Sequence, residues 1–199
     1  MGARRPDEAQ AFFAARAATW DARFPDDGPA YERAAAELAP PPGGTVLDLG
    51  AGTGRALGPL RAQVGAAGRV VAIDVTWEML TVARDAGRDR DAALVLADAV
   101  RLALADGACD SVFAAGIIHH LPAPHHGLIQ LRRVTRPSAR LAIFHPIGRV
   151  ALAARHGRTL SDDDLLDRRN LEPQLERHGW TLASMDDSED RYLAVATRT

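Results

Sequence analysis

From Thr45 onward, short unbroken apolar runs alternate with stretches in which apolar residues recur every three or four positions. Thr45–Leu49, Arg69–Asp74, Ala93–Ala97, Cys109–Ala114 and Arg140–His145 are runs of the first kind and predict five buried strands. Residues 54–65, 77–87 and 125–135 are of the second kind and predict helices. Strands that lack polar alternation and are separated by helices form a parallel sheet covered on both faces. Ahead of this region, residues 7–20 (Phe12, Phe13, Ala17, Trp20) and 29–39 (Tyr31, Ala34, Ala35, Leu38) show near-helical spacing, closed by Pro40-Pro41-Pro42-Gly43-Gly44. Beyond it, a helix capped at Ser161 and reaching about His178 precedes Trp180–Met185 and Tyr192–Thr197. The short polar link Asp186–Asp190 joins those two runs as an antiparallel hairpin. No repeat or low-complexity linker divides the chain. One domain, 1–199, is expected, with a helical cap over 1–40 and an α/β core over 41–199.

Composition narrows the class. The 199 residues suit one domain with a real core, and 47% hydrophobic with 25% charged residues is ordinary globular usage. A formal net charge of −2 provides no broad field for nucleic acid or an anionic membrane. All 24 basic residues are arginine. Cys109 is the single cysteine, so no intrachain disulfide and no cysteine zinc site can form. Met1-Gly2-Ala3-Arg4-Arg5-Pro6 leads into polar residues rather than an apolar signal core. No run approaches the roughly 18 apolar residues of a membrane span. A cytoplasmic protein, monomeric or homodimeric, is the expectation.

The densest chemical signal is Val46-Leu47-Asp48-Leu49-Gly50-Ala51-Gly52-Thr53-Gly54-Arg55. A buried strand runs into a glycine-rich turn that opens a helix, the arrangement by which α/β sheets bind nucleotide-type ligands beyond their strand ends. A dinucleotide fingerprint, Gly-x-Gly-x-x-Gly, would need glycine or alanine at position 55, where Arg55 stands. A phosphate-binding Walker loop needs a lysine, and the chain has none. Further along, Val70-Val71-Ala72-Ile73-Asp74 ends a strand in an acid suited to a ribose diol. Ala97-Asp98-Ala99 ends the next strand. Cys109–Ala115 runs on into Gly116-Ile117-Ile118-His119-His120-Leu121-Pro122, and Leu131–Leu141 reads as a helix and turn entering the fifth strand.

In this order and spacing, the segments resemble motifs of the class I S-adenosylmethionine (SAM)-dependent methyltransferases. The likeness spans about residues 10–199 and is nearest the small-molecule branch of ubiquinone/menaquinone-biosynthesis type (type 11). It implies a Rossmann-like, doubly wound, mostly parallel seven-stranded sheet with a C-terminal antiparallel hairpin and N-terminal cap helices. It implies SAM as cofactor and methyl transfer to a small-molecule acceptor by in-line displacement. Where the family often has Pro-Gly-Gly, this chain has Pro137-Ser138-Ala139.

Carried over by position, the resemblance puts Asp48 and Gly50 nearest the methionine amino and carboxylate groups. Gly52 and Gly54 allow close approach, with Ala51 and Thr53 lining the loop. Asp74 holds the ribose hydroxyls, Val75 or Met79 packs on the adenine, and Asp98 faces the adenine amino group beside the Ala99 backbone. Ala115 and Gly116 close the methionine end. Trp20 either caps that end or docks its helix on the core. Trp77 either flanks the adenosine or, as is commoner, packs its helix.

His119 and His120 follow the fourth strand and His145 ends the fifth, on the rim where an acceptor would sit. A neutral imidazole there can take a proton from a hydroxyl or amine, so His145 and His120 are the candidate catalytic residues. His125 and His126 suit a helix start. No metal is expected, since no carboxylate lies between 111 and 160. Residues 146–160 are the longest stretch available to shape a pocket or lid, and Arg149, Arg155 and Arg158 within it suit an anionic acceptor. No flipped-base motif and no basic, aromatic-rich segment appears, so a nucleic-acid acceptor is not expected. Two other functions fit the same elements. One is a SAM-binding regulator without turnover. The other is an NAD(P)-dependent oxidoreductase, against which Arg55 and the missing Tyr-x-x-x-Lys pair both count.

Overall fold

The computed structural model describes residues 6–121 and 124–199. Residues 1–5, the start of the expected polar N-terminus, and Pro122 and Ala123 of the histidine-bearing run lie outside the described residues.

The core is one seven-stranded sheet. Its strands are β1 (Thr45–Leu49), β2 (Arg69–Asp74), β3 (Ala93–Leu96), β4 (Cys109–Ala115), β5 (Thr135–His145), β6 (Trp180–Asp187) and β7 (Tyr192–Arg198). They lie in the order β3-β2-β1-β4-β5-β7-β6, with β1 to β5 parallel and β7 antiparallel to both β5 and β6. The helices are α1 (Pro6–Ala14), α2 (Gly28–Leu38), α3 (Leu57–Val64), α4 (Trp77–Asp85), α5 (Pro124–Val134), α6 (Arg149–Arg155) and α7 (Arg168–Arg177). Among the described residues, no helix is long and apolar enough to cross a membrane.

Apolar side chains fill both faces of the sheet, because successive residues of a strand point to opposite sides. Leu47 and Leu49 join Val112, Leu131 and Trp180 in one layer. Val46 joins Ala34, Leu38, Leu57 and Phe113 in the other. Burying each Leu or Phe this way stabilises the fold by about 1.5–3 kcal/mol. The same alternation aims Asp48 into the Val46 layer, in register with Ala72 and Phe113. Tyr31 packs on Phe144 and Phe113 there, with ring centroids 5.1 and 6.3 Å away.

Local details depart from the periodicity. The stretch 7–20 is not one helix: α1 stops at Ala14, and single 3-10 turns follow at Ala17–Thr19 and Asp21–Arg23. The helix after the glycines starts at Leu57, because residues 52–56 are spent in turns. β5 begins at Thr135, five residues early. Its pairing with β4 jumps from Cys109↔Thr135 to Ser111↔Arg140, and Ser138 occupies the excess length at φ +64°. Ser161 caps nothing. The last helix starts seven residues later, where the Asp167 side chain accepts from the Arg169 backbone N–H at 2.9 Å. Trp77, whose commoner fate would be to pack its helix, instead stands 55% exposed. Met79, Leu80 and Ala83 occupy the inward face of α4.

Candidate cofactor and acceptor site

The chain leaves β1 outward for β2 and β3, then returns to β4 on the other side of β1. This reversal opens a crevice at the strand ends, where α/β sheets bind ligands. Gly50 and Gly116 line the crevice, with φ of +69° and +65°. Both take the left-handed region that favours glycine. Their N–H groups donate to the Ile73 and Phe144 carbonyls at 2.8 Å, which ties each turn to the neighbouring strand. A Cβ on Gly50 would stand 2.8 Å from Ile117, so only glycine fits against that side chain. Gly52 has nothing within 4 Å of its Cβ direction and stays open to a ligand.

Three acids lie at or next to the carboxyl ends of the first three strands, in three different states. Asp74 accepts from the Gly52 and Thr76 N–H groups, each at 2.8 Å. Burial raises its pKa, against the pull of those bonds. Asp98 is exposed and accepts from the Val100 N–H at 3.0 Å, which occupies only one of its oxygens. Asp48 is 1% exposed, and neither of its oxygens has a hydrogen-bond partner. Burial, and then the neighbouring Asp74 charge, push its pKa up to about 8.

Val75 and Leu96 are exposed at the ends of β2 and β3, next to Asp74, and supply an apolar rim for a flat base. Leu96 was invisible in the sequence because its run ends like any buried strand. Met79 is 2% exposed and Ala99 8%, so neither side chain presents open surface.

The N-terminal segment crosses all three parts of the crevice. Gln10 donates to the Val75 carbonyl at 2.9 Å. Asp21 accepts from the Thr53 hydroxyl at 2.6 Å and pairs with Arg88 at 2.7 Å, while Arg88 also donates to the Thr53 carbonyl. Phe13 meets His120 edge-on with centroids 5.3 Å apart. Trp20 sits half-buried between Phe13 and Phe24. Sequence reasoning missed Gln10, Asp21 and Arg88, whose partners lie 32 or more positions away along the chain.

On the other side of Gly116, a small apolar cavity of about 20 Å³ is walled by His119, His145, Leu152, Leu166 and Tyr192. The Tyr192 hydroxyl is spent on the Leu166 carbonyl at 2.9 Å. His145 Nδ1 lies 2.9 Å from the Ile147 carbonyl oxygen. Burial, and then the Arg155 and His156 charges, lower its pKa. His119 opens more than a third of its surface to the crevice yet is crowded by protein on its other sides. That crowding, and then His120, His145 and Arg158, lower its pKa as well. Both imidazoles are therefore neutral at pH 7. His125 and His126 lie exposed in the first turn of α5, their rings tilted against each other with centroids 4.1 Å apart.

Arg149 is not available to an acceptor. Its guanidinium, 13% exposed, is shared among Asp187 at 2.8 Å, Asp164 at 3.3 Å and Asp167 at 3.4 Å. Arg155 and Arg158 remain exposed, and neither forms an ion pair among the described residues.

These residues fit SAM. An unpaired buried carboxylate meets a ligand whose methionine end is cationic, an open glycine turn admits it, and Asp74 and Asp98 keep acceptor capacity for hydroxyl and amino groups.

Residues 47–143 match the model of a methyltransferase domain family. The demethylmenaquinone methyltransferase of Beutenbergia cavernae is 40% identical over 102 residues, 51% of this chain and 40% of that protein. The ubiquinone/menaquinone biosynthesis C-methyltransferase of Burkholderia mallei is 33% identical over 105 residues, 52% of this chain and 43% of that protein. The chain thus spans less than half the length of these curated relatives. A SAM-dependent methyltransferase from Aquifex aeolicus superposes with a TM-score of 0.71 at 25% identity, over 85% of this chain and 89% of that one. The matched stretch runs from the strand that carries Asp48 almost to His145, and over it the chain is similar to the SAM-dependent methyltransferases.

Proposed function

We propose that the protein transfers a methyl group from SAM to a small-molecule acceptor held at the ends of β4 and β5, between His120 and His145. The observation that supports this most is the contiguity of two sites. The glycine turn, with its unpaired Asp48, adjoins across Gly116 an apolar cavity bordered by neutral imidazoles.

The cofactor supplies an activated methyl on sulfur, whose departure as a neutral thioether needs no acid. The chain's residues therefore have to align and exclude water, and good alignment contributes on the order of 7–11 kcal/mol. Asp74, Val75 and Asp98 fix the nucleoside end, and Asp48, Gly50 and Gly52 the amino-acid end. Ala115 and Gly116 close that end, and the Phe13–Trp20 segment covers it. His145 Nδ1 lies 2.9 Å from the Ile147 carbonyl and 3.2 Å from the Ile147 N–H; in the tautomer that donates to the carbonyl, Nε2 keeps the lone pair that can take a proton from a hydroxyl or amine. Exposed Arg155 and Arg158, whose charges act on His145 and His119, suit a carboxylate or phosphate on the acceptor, with Arg149 confined to structure.

Calorimetric titration with S-adenosylhomocysteine, against NADH as control, tests the cofactor half. Saturable one-to-one binding of the thioether alone supports it, and binding of NADH alone overturns it. Transfer of radiolabelled methyl to hydroxylated or aminated aromatic acids then tests the acceptor half. Tight binding with no transfer to any of them would favour a SAM-binding regulator.

A further inference from the structure

We infer that Asp48 holds a proton in the ligand-free protein and releases it to solvent when the ammonium group of the cofactor's methionine end settles beside it. This rests on the cofactor reading proposed above.

A carboxylate shut away from water needs donors or a cation, and an unpaired one is costly enough that the neutral acid replaces it. Asp48 is 1% exposed with both oxygens unpartnered. Its strand neighbours Ala72 and Phe113 are apolar. From β2 it faces Asp74, a second acid, which opposes its ionisation. From α2 it faces the Tyr31 hydroxyl, itself held neutral by burial. Arg55, in the turn after β1, lies over the Tyr31 ring at 5.7 Å, where its charge acts on Tyr31 and Asp27. Asp21 and Asp27 add only negative charge to this corner. The upward shift of Asp48 agrees with the geometry but is not needed for it.

The ligand supplies what is missing. Asp74 and Asp98 already accept backbone N–H groups. Asp48 is the strand-end acid with no donor, and so the one whose ionised form gains most from a cation. On binding, the carboxyl O–H breaks, its proton leaves to buffer, and the carboxylate pairs with an ammonium that keeps its own three protons. An α-amino group titrates near pH 8, so at pH 6.5 the free ligand arrives charged. Affinity then rises with pH, approaching tenfold per unit while Asp48 is protonated in the free protein and the ligand amine charged, and declines again once the amine loses its proton above about pH 8.

Titration of the whole protein with S-adenosylhomocysteine at pH 6.5 in phosphate and in imidazole, whose ionisation heats differ, counts the proton. This ligand has no sulfonium, which isolates the ammonium. The expected result is release of about one proton per ligand, and binding without release by Asp48→Asn. Difference infrared spectra of the wild type, in which a protonated carboxyl band disappears on ligand addition, read the same event without a variant. Wild-type binding without release, or release that persists in Asp48→Asn, overturns the inference. No saturable binding in any buffer overturns the cofactor reading itself, and so the two failures are distinguishable.

Discussion

The Thr53 hydroxyl, in the middle of the glycine turn, donates a 2.6 Å hydrogen bond to Asp21, which belongs to the N-terminal cap. The same carboxylate pairs with Arg88 beyond α4, so one acid fastens the cap to the loop and to the sheet's flank. On the function proposed above, this clasp would have to open before a ligand under the cap could leave.

Asp21→Ala removes both bonds at once. Partly exposed hydrogen bonds to a charged group contribute about 1–2 kcal/mol, so S-adenosylhomocysteine should bind roughly 5- to 30-fold more weakly. The change should appear as faster dissociation in stopped-flow fluorescence, with Trp20 a natural reporter. Asp21→Glu should restore part of it. A dissociation rate equal to wild type would show that the cap does not gate the crevice.

The upward shift of Asp48 also bears on stability. The unfolded chain ionises this group near pH 4 and the folded chain near pH 8, so between those values the folded state binds more protons. Its contribution therefore falls as pH rises through that window, by up to about 1.4 kcal/mol per unit. His119 and His145 oppose it below pH 6.5, because their lowered pKa values favour the unfolded state there. The clean quantity is the difference between wild type and Asp48→Asn in denaturant unfolding at pH 5, 7 and 9. Asp48→Asn should gain relative stability with each step up to about pH 8, and parallel curves would contradict the shift.

Burial holds the His145 pKa below its ordinary value, so its imidazole is mostly neutral from pH 6.5 upward. Once an acceptor is in hand, kcat/KM should stay level from pH 8 down to about 6.5 and decline only below that. His145→Ala should lower kcat by about 10²- to 10⁴-fold and leave thioether affinity unchanged. Equal losses of affinity and turnover would instead give His145 a merely structural role.

Ser138 holds a left-handed conformation at φ +64° in an exposed turn of β5. Such a backbone costs a non-glycine residue about 1–2 kcal/mol, partly offset by the extra freedom of an unfolded glycine. Ser138→Gly should therefore stabilise the fold by about 0.5–1 kcal/mol in chemical denaturation, with no change in ligand affinity. A loss of stability would mean that the Ser138 side chain makes a favourable contact.

The strands and the glycine turn were legible in the chain because burial on both faces leaves unbroken apolar runs, and a sharp turn at positive φ demands glycine. Asp48, Asp74 and Asp98 could be picked out because each directly follows or ends such a run. What escaped depended on partners remote in sequence. The helix expected from Ser161 begins only at Asp167, because residues 161–167 are occupied in turns and in bonds to Arg149 and Asn170. Arg149 itself looked like an acceptor contact, since nothing within 146–160 discloses the three acids that enclose it. Trp77 looked like packing because its spacing fits α4 equally well on either side.

Arg149, α6 and the turns that lead to Asp167 all lie past residue 143, beyond the stretch that matches the methyltransferase domain family. The cavity walls Leu152, Leu166 and Tyr192 belong to that same tail, whereas the cofactor turn and its acids lie well before it. On the function proposed above, exchanges between 146 and 167 that spare Arg149 and its acids would reshape the acceptor wall and leave the turn and acids of the cofactor half untouched.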